Sequence, residues 1–208
     1  MSHLAEHEKR NEQKWDRRSE TFDNKRFNYF RWMQKQVLAL IPLQKGTSFL
    51  DLGCGTGWAV CYIANLLEGQ GKFMGVDISM GMLQRANKNA GGLKHVGFYN
   101  ASAERLPIEE KTVDYIICTN SFHHYLHPER ALAEMLRIMK DKGRVYIMDV
   151  TSDDFLVNWI DRRQAKRERE HVRFHSTHEI KELFSMAGLK HIQSRRIWYP
   201  LKVHVAEK

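Results

Sequence analysis

The chain has 208 residues, 42% of them apolar and 28% charged, which is the balance of a globular protein long enough for one domain with a real core. That composition excludes a disordered tail, a collagen-like repeat and a disulfide scaffold. The three cysteines, Cys54, Cys61 and Cys118, form no C-x-x-C pair and suit a reducing, cytoplasmic setting. The longest apolar run, residues 58–64, is far short of the about 20 residues of a membrane span, and the charged opening of residues 1–6 predicts no secretory leader. Lys and Arg number 33 against 25 Asp and Glu, a net charge of +8. Residues 1–50 and 151–208 each carry +4 of this excess, and residues 51–150 are neutral. Basic flanks of this kind point to a nucleic acid, a membrane surface or an anionic substrate, or else to a solvated face.

In chain order, Phe30, Met33, Val37 and Ile41 predict a helix ending at Pro42. Residues 47–52 read as a strand running into glycines, and residues 58–67 as a buried helix closed by Gly69 and Gly71. A second strand covers 72–78. Ser79 caps a helix carrying Met82, Leu83, Ala86 and Ala90, stopped by Gly91 and Gly92. Strands follow at 96–101 and 113–119, then a helix after Pro128 with Leu132, Met135, Leu136 and Met139 at helical spacing, then a fifth strand at 144–150. The alternation implies βα units and a parallel sheet. Residues 151–175 break the rhythm with Phe155, Leu156, Val157, Trp159 and Ile160 followed by Arg162, Arg163, Lys166, Arg167 and Arg169, an inserted amphipathic helix. Ser176 and Glu179 form a capping box for a helix bearing Ile180, Leu183, Phe184 and Ala187. Residues 190–206 predict a hairpin around Pro200.

The most informative segment is the glycine loop, with Gly53, Gly55 and Gly57 between a strand and a helix. Glycine is needed where the backbone takes positive φ or a ligand presses on the chain, and the helix start beyond offers unpaired N–H groups. A nucleotide site is the physical expectation. The dinucleotide pattern G-x-G-x-x-G/A fails because Trp58 holds its third position, where only a small residue packs. No Gly-Lys-Ser/Thr follows, so a Walker loop is absent.

The loop with Asp51 resembles motif I, (D/E)-x-G-x-G-x-G, of class I S-adenosylmethionine-dependent methyltransferases. Gly75-Val76-Asp77-Ile78-Ser79 resembles the acidic end of that family's second strand, Ala101-Ser102-Ala103-Glu104-Arg105-Leu106-Pro107 its adenine loop, and Val113 through His124 its fourth strand and following loop. The likeness extends to the small-molecule branch that includes ubiquinone and menaquinone C-methyltransferases, whose N-terminal Trp-Asp…Phe-Asp pattern is similar to Trp15-Asp16 and Phe22-Asp23. The resemblance implies an α/β, Rossmann-like doubly wound fold: a seven-stranded, mostly parallel sheet with a terminal antiparallel hairpin, in one domain of residues 1–208. Within it, residues 1–44 form a helical flank, 45–150 the cofactor-binding core, 151–175 a lid helix and 176–208 the terminal helix and hairpin.

The resemblance further implies S-adenosyl-L-methionine as cofactor and S-adenosyl-L-homocysteine as product. Asp51, Gly53, Cys54, Gly55, Gly57, Asp77, Ile78, Ser102, Ala103 and Asn120 are its implied contacts. Gly53 and Gly55 let the methionine part lie on the backbone, and Asp77 accepts from the ribose hydroxyls. Ser102 stands where many relatives carry Asp for the adenine amino group, leaving the backbone N–H of Ala103 to read the ring. Ile78 and Met80 flank that ring or begin the helix core. His123 and His124, with Tyr125 and Asp149 as weaker candidates, stand where a base for the acceptor belongs, or serve the loop's packing.

No metal site is expected. The groups His123, His124, His127 and His171, His175, His178 lack a nearby cysteine, and methyl transfer from a sulfonium needs no metal. The stretch Asn120-Ser121-Phe122-His123 lacks the prolines of nucleic-acid amino-methyltransferases, and Cys118 lies inside a strand, unlike a cytosine C5 nucleophile. A small-molecule or lipid-like acceptor, anionic or membrane-associated, is therefore the first expectation. The apolar start of the 151–175 helix covers the cleft in this reading, and Trp15, Phe22, Phe27, Tyr29, Phe30 and Trp32 wall its other side. An RNA or protein methyltransferase using the basic flanks and a non-catalytic cofactor-binding regulator are the alternatives. The oligomeric state is open.

Overall fold

The computed structural model describes residues 3–22, 27–167 and 172–208. Its elements are α1 (His3–Phe22), α2 (Phe27–Leu38), β1 (Thr47–Leu52), α3 (Trp58–Leu66), β2 (Gly71–Asp77), α4 (Met80–Ala90), β3 (Val96–Asn100), β4 (Val113–Thr119), a short 3-10 turn (Phe122–His124), α5 (Pro128–Ile138), β5 (Met139–Val150), α6 (Phe155–Arg167), α7 (Thr177–Met186), β6 (Lys190–Trp198) and β7 (Leu201–Glu207). The seven strands form one sheet in the order β3-β2-β1-β4-β5-β7-β6. β1 through β5 pair in parallel, and β7 runs antiparallel to both β5 and β6. The seven-stranded doubly wound sheet and its terminal hairpin are therefore present as expected.

Period-2 alternation sends side chains into two cores, one on each sheet face. On one face Leu50, Leu52, Ile116 and Ile147 pack with Leu132 and Met135 of α5 and Phe184 of α7. On the other, Phe49, Ile117 and Tyr146 pack with Met33 and Val37 of α2 and Val60 and Ile63 of α3. Three local signals behave as their chemistry predicts. The Ser79 side chain accepts from Met82 N to cap α4, Gly91 ends that helix with φ 54°, and Ser176 with Glu179 closes a reciprocal capping box on α7.

The chain winds from β1 outward to β3, then returns past β1 to β4. The carboxyl ends of β1, β2 and β4 thus border a topological switch point, where open α/β sheets leave a crevice. Two boundaries differ from expectation. β5 starts at Met139, five residues before the predicted strand, because a register irregularity between Val113 and Tyr115 lets Met139 pair with Val113. The N-terminal flank is two helices, and the first of them, α1, carries too few apolar residues to be read from periodicity.

Candidate functional site

A cleft of about 1150 Å³, counting the solvent space at its mouth, opens at the switch point. Its floor is the glycine loop. Gly53 takes φ 80°, and a Cβ there would run into the Ser121 side chain, so the loop after β4 can lie directly against it. Gly55 takes φ 52° with its backbone N–H donating to Asp77 Oδ2 at 2.8 Å. Asp77 Oδ1 accepts from Ser79 N at 2.9 Å. One carboxylate, which also accepts from Ile78 N, thus ties the end of β2 to both the glycine loop and the start of α4.

Asp51 lies behind this loop. It is wholly buried, and its Oδ2 accepts only a long 3.3 Å bond from Gln34 Nε2. Among the described residues its Oδ1 meets no hydrogen-bond donor. Burial, with the Asp77 carboxylate nearby, pushes the Asp51 carboxyl up to about 8. Such a group calls for a cation or a donor. Glu104 repeats the theme at the opposite end of the cleft. Its Oε1 accepts from His127 N at 3.2 Å, while its Oε2 is buried without a hydrogen-bond donor and lies 3.9 Å from the Arg130 guanidinium. Burial raises its carboxyl, against the pull of the His127 N–H.

The roof is α1. Leu4, His7, Glu8, Asn11, Trp15 and Phe22 recur at helical spacing and all line the cleft. Polar bonds hold the helix down. His7 Nε2 donates to the His124 carbonyl at 2.8 Å, and Asp16 Oδ1 accepts from Ser79 Oγ at 2.6 Å and Gly81 N at 2.9 Å. Asp16 thereby adds a carboxylate to the N-terminus of α4, where the helix dipole favours it. Gly81 permits the approach, since a Cβ there would stand 2.9 Å from Ser19 Oγ. Arg31 and Gln34 of α2 join from the side.

The structure brings together Gly53, Cys54, Gly55, Asp77, Ile78, Ser102, Ala103, Asn120, His124 and Tyr125 of the expected site. Asp51 stands one layer behind the lining. Gly57 serves packing instead: a Cβ on it would meet the Phe98 ring at 2.7 Å and Ala86 at 2.9 Å, so it lets α3 sit close to its neighbours. Met80 is 46% exposed and lies outside the cleft, unlike Ile78.

His123 needs correction as a candidate base. Its ring is turned to a second, small cavity, where Nδ1 donates to the Asp149 carboxylate at 2.9 Å. Its backbone N–H donates to the same carboxylate at 3.1 Å. His123 and Asp149 clamp the loop after β4 to the end of β5, and neither faces the cleft. Tyr125 does face it, with its hydroxyl 3.2 Å from Ser121 Oγ. Burial pushes that phenol well above its ordinary value, so it stays protonated.

The lid assignment changes as well. Among the described residues, none of α6 lines the cleft. Phe155 is 81% exposed, and Leu156, Trp159 and Ile160 are each about half exposed, so the covering helix is α1. Of the expected aromatic wall, Trp15, Phe22 and Phe30 line the cleft, and Tyr29 and Trp32 lie beside it. Asp23, the Phe27 side chain, Arg169 and His171 lie outside the described residues. Among the described residues no three His, Cys, Asp or Glu side chains gather as metal ligands. Reasoning from sequence missed His7, Glu8, Asn11 and Gln34. The signal for the first three was the stripe at 4, 7, 8, 11, 15 and 22, in which His7, Glu8 and Asn11 stand among Leu4, Trp15 and Phe22.

A family model described as a methyltransferase domain matches residues 43–201. The chain belongs to this methyltransferase-domain family. It is 30% identical over 126 residues to the ubiquinone/menaquinone biosynthesis C-methyltransferase UbiE of Francisella tularensis subsp. novicida, covering 59% of this chain and 50% of that protein. It is 25% identical over 190 residues to a demethylmenaquinone methyltransferase of Bacillus cereus, covering 80% of each. The chain spans about half or less of the length of the first curated relatives it matches. Among solved structures, a chain of the Haloferax volcanii complex of the Trm112 methyltransferase activator with a candidate methyltransferase superposes with a TM-score of 0.82 at 20% identity. That match covers 93% of this chain and 96% of the other, and speaks for the fold.

Proposed function

We propose that this protein transfers a methyl group from S-adenosylmethionine to an apolar or planar small molecule. The observation that carries the reading is Asp51, a buried carboxylate with an unpartnered oxygen directly behind the glycine loop. A cationic ammonium or sulfonium group at that loop would favour the ionised form of this carboxyl and give its unpartnered oxygen a partner. When bound, S-adenosylmethionine supplies a methyl group already activated by its sulfonium.

The protein's own residues hold and shield. Asp77 offers its remaining acceptor capacity to the ribose hydroxyls. Glu104 Oε2, 3.9 Å from the Arg130 guanidinium, and the Ser102 hydroxyl, which accepts from Glu104 N at 3.2 Å and keeps a second lone pair, are the acceptors offered to the adenine amino group. α1 roofs the cleft and excludes water, so donor and acceptor meet in line in a dry space. His124, rather than His123, is the imidazole placed to take a proton from an acceptor that must lose one. Tyr125 donates or accepts a hydrogen bond as a neutral phenol. The aromatic wall of Trp15, Phe22 and Phe30 favours a flat or greasy acceptor.

Titration calorimetry tests the reading. S-adenosylhomocysteine binds and NAD does not, and labelled methyl passes to an acceptor in a lipid extract. Binding of NAD with none of S-adenosylhomocysteine would overturn it.

A further inference from the structure

Outside the cleft, the largest unexplained feature is an exposed apolar surface built from three elements. α6 presents Phe155, Leu156, Trp159 and Ile160, and the β6–β7 turn adds Trp198 and Tyr199, which are 64% and 50% exposed. Tyr199 Oη donates to Asp154 Oδ2 at 2.7 Å, fixing the turn against the start of α6. The Trp198 ring meets Trp32 of α2 edge-on at 6.0 Å. Monomeric proteins seldom leave so many large apolar side chains together in water.

Charge surrounds this patch in an ordered way. Arg162, Arg163, Lys166 and Arg167 follow the apolar turn on the same helix, and Arg195 and Arg196 stand on the neighbouring edge strand, all exposed. The Arg163 guanidinium lies over the Trp159 ring at 4.5 Å. The nearby carboxylates are committed locally. Asp153 pairs with Lys202, Asp154 accepts from Val157 N and Tyr199, and Asp161 accepts from Phe174 N. Among the described residues, cations therefore dominate the outward face.

The patch is also continuous with the cleft. From the Trp15 ring in the roof, aromatic contacts run through Phe22 at 6.2 Å, Phe30 at 5.1 Å, Tyr29 at 5.9 Å and Trp32 at 6.3 Å to Trp198. This row of touching rings links the exposed patch to the wall of the cleft.

We propose that α6, the β6–β7 turn and the rim of α2 form a docking surface for an anionic phospholipid bilayer, with the aromatic row as the route of a membrane-dissolved acceptor into the cleft. Phe155, Leu156 and Trp159 enter the acyl boundary, Trp198 and Tyr199 sit at the headgroup level that amphipathic rings favour, and the Arg/Lys collar meets anionic headgroups. The docking surface stands on the patch and its charge alone. The entry route rests on the methyltransferase reading.

Sedimentation of the full chain with vesicles tests it. The protein binds vesicles of phosphatidylcholine with phosphatidylglycerol and much less those of phosphatidylcholine alone, and binding weakens with salt. The Phe155→Ser/Trp159→Ser variant loses at least about tenfold in partitioning, since two anchors leave the apolar phase. Replacing Arg162, Arg163, Lys166 and Arg167 by Ser loses at least about tenfold through the charge term. Both variants keep the affinity for S-adenosylhomocysteine, which shows that they are folded. Absence of vesicle binding by a chain that still binds S-adenosylhomocysteine would overturn the proposal. So would a dimer that dissociates on the Phe155→Ser/Trp159→Ser change, or retention of RNA in place of vesicles. Vesicle binding without S-adenosylhomocysteine binding would support the surface and overturn the catalytic reading instead.

Discussion

α1 and α6 flank the same sheet, yet each does the opposite of what its composition suggests. α6 begins with five apolar residues in six, the look of a helix that covers something, and it leaves four of them in solvent. α1 is polar along most of its length, the look of a solvated helix, and it roofs the cleft. The difference teaches that a lid over a polar site is held by hydrogen bonds to that site. Asp16 finds Ser79 and Gly81, and His7 finds the His124 carbonyl, whereas among the described residues α6 has no anchor on the cleft. Apolar residues on a helix say only that it leaves water, and a bilayer can receive them as well as a core can.

The comparison breaks first at the cleft floor. Asp77→Ala weakens S-adenosylhomocysteine binding by about ten- to a hundredfold, the worth of one or two charge-assisted hydrogen bonds, as read by calorimetry. Because Asp77 also holds Gly55 N and Ser79 N, Asp77→Asn recovers part of the loss. An unchanged affinity for Asp77→Ala would make that residue a loop brace only.

The next effect is on pH. In the ligand-free protein Asp51 carries a proton below about 8. A cationic ligand favours the ionised form, so binding releases that proton. Affinity therefore rises with pH, by up to about tenfold per unit, and levels off above pH 8. Asp51→Asn removes the dependence. The stability of the ligand-free chain runs the other way. The folded state holds a proton that the unfolded state has lost above its carboxylate value, so stability falls as pH rises from about 4 through 8. Asp51→Asn abolishes that fall, which thermal melting at several pH values would detect.

Asp16→Ala comes third. Loss of a cap costs about 0.5–2 kcal/mol, which loosens α1 and speeds S-adenosylhomocysteine release by about three- to thirtyfold in stopped flow. The corresponding change on the other helix is the smallest for the cofactor. Neutralising Arg162, Arg163, Lys166 and Arg167 leaves cofactor affinity within about twofold, because exposed charges this far from the cleft are screened, while the KM for a membrane-borne acceptor rises. A parallel fall in cofactor affinity would mean that α6 serves the cleft after all.

Most of the framework was legible because its signals are local. The glycine loop between strand and helix, the Ser79 cap, the Ser176–Glu179 capping box and the β–α alternation depend on backbone conformation within a few residues. The cleft's floor followed from them, since Asp77 and Ser102 end strands or begin loops at the switch point. The roof was not legible in that way. The stripe His7, Asn11 and Trp15 gains meaning only once Ser79, Gly81 and the His124 carbonyl are placed opposite it. His123 and His124 are adjacent and chemically alike, and only the 3-10 turn that carries them sends one ring to Asp149 and the other to the cleft.

From the sequence alone came the class of fold, the neutral core between basic flanks, and a glycine loop that fits neither the dinucleotide pattern, because of Trp58, nor a Walker loop. These are properties of composition and short-range geometry. The tertiary structure alone decided which helix roofs the cleft, which histidine lines it, that Glu104 lines it too, and that the positive flank of α6 borders an exposed apolar surface. Each of these depends on which long-range partner a side chain meets, and residue type and spacing leave that choice open until the sheet brings the partners together.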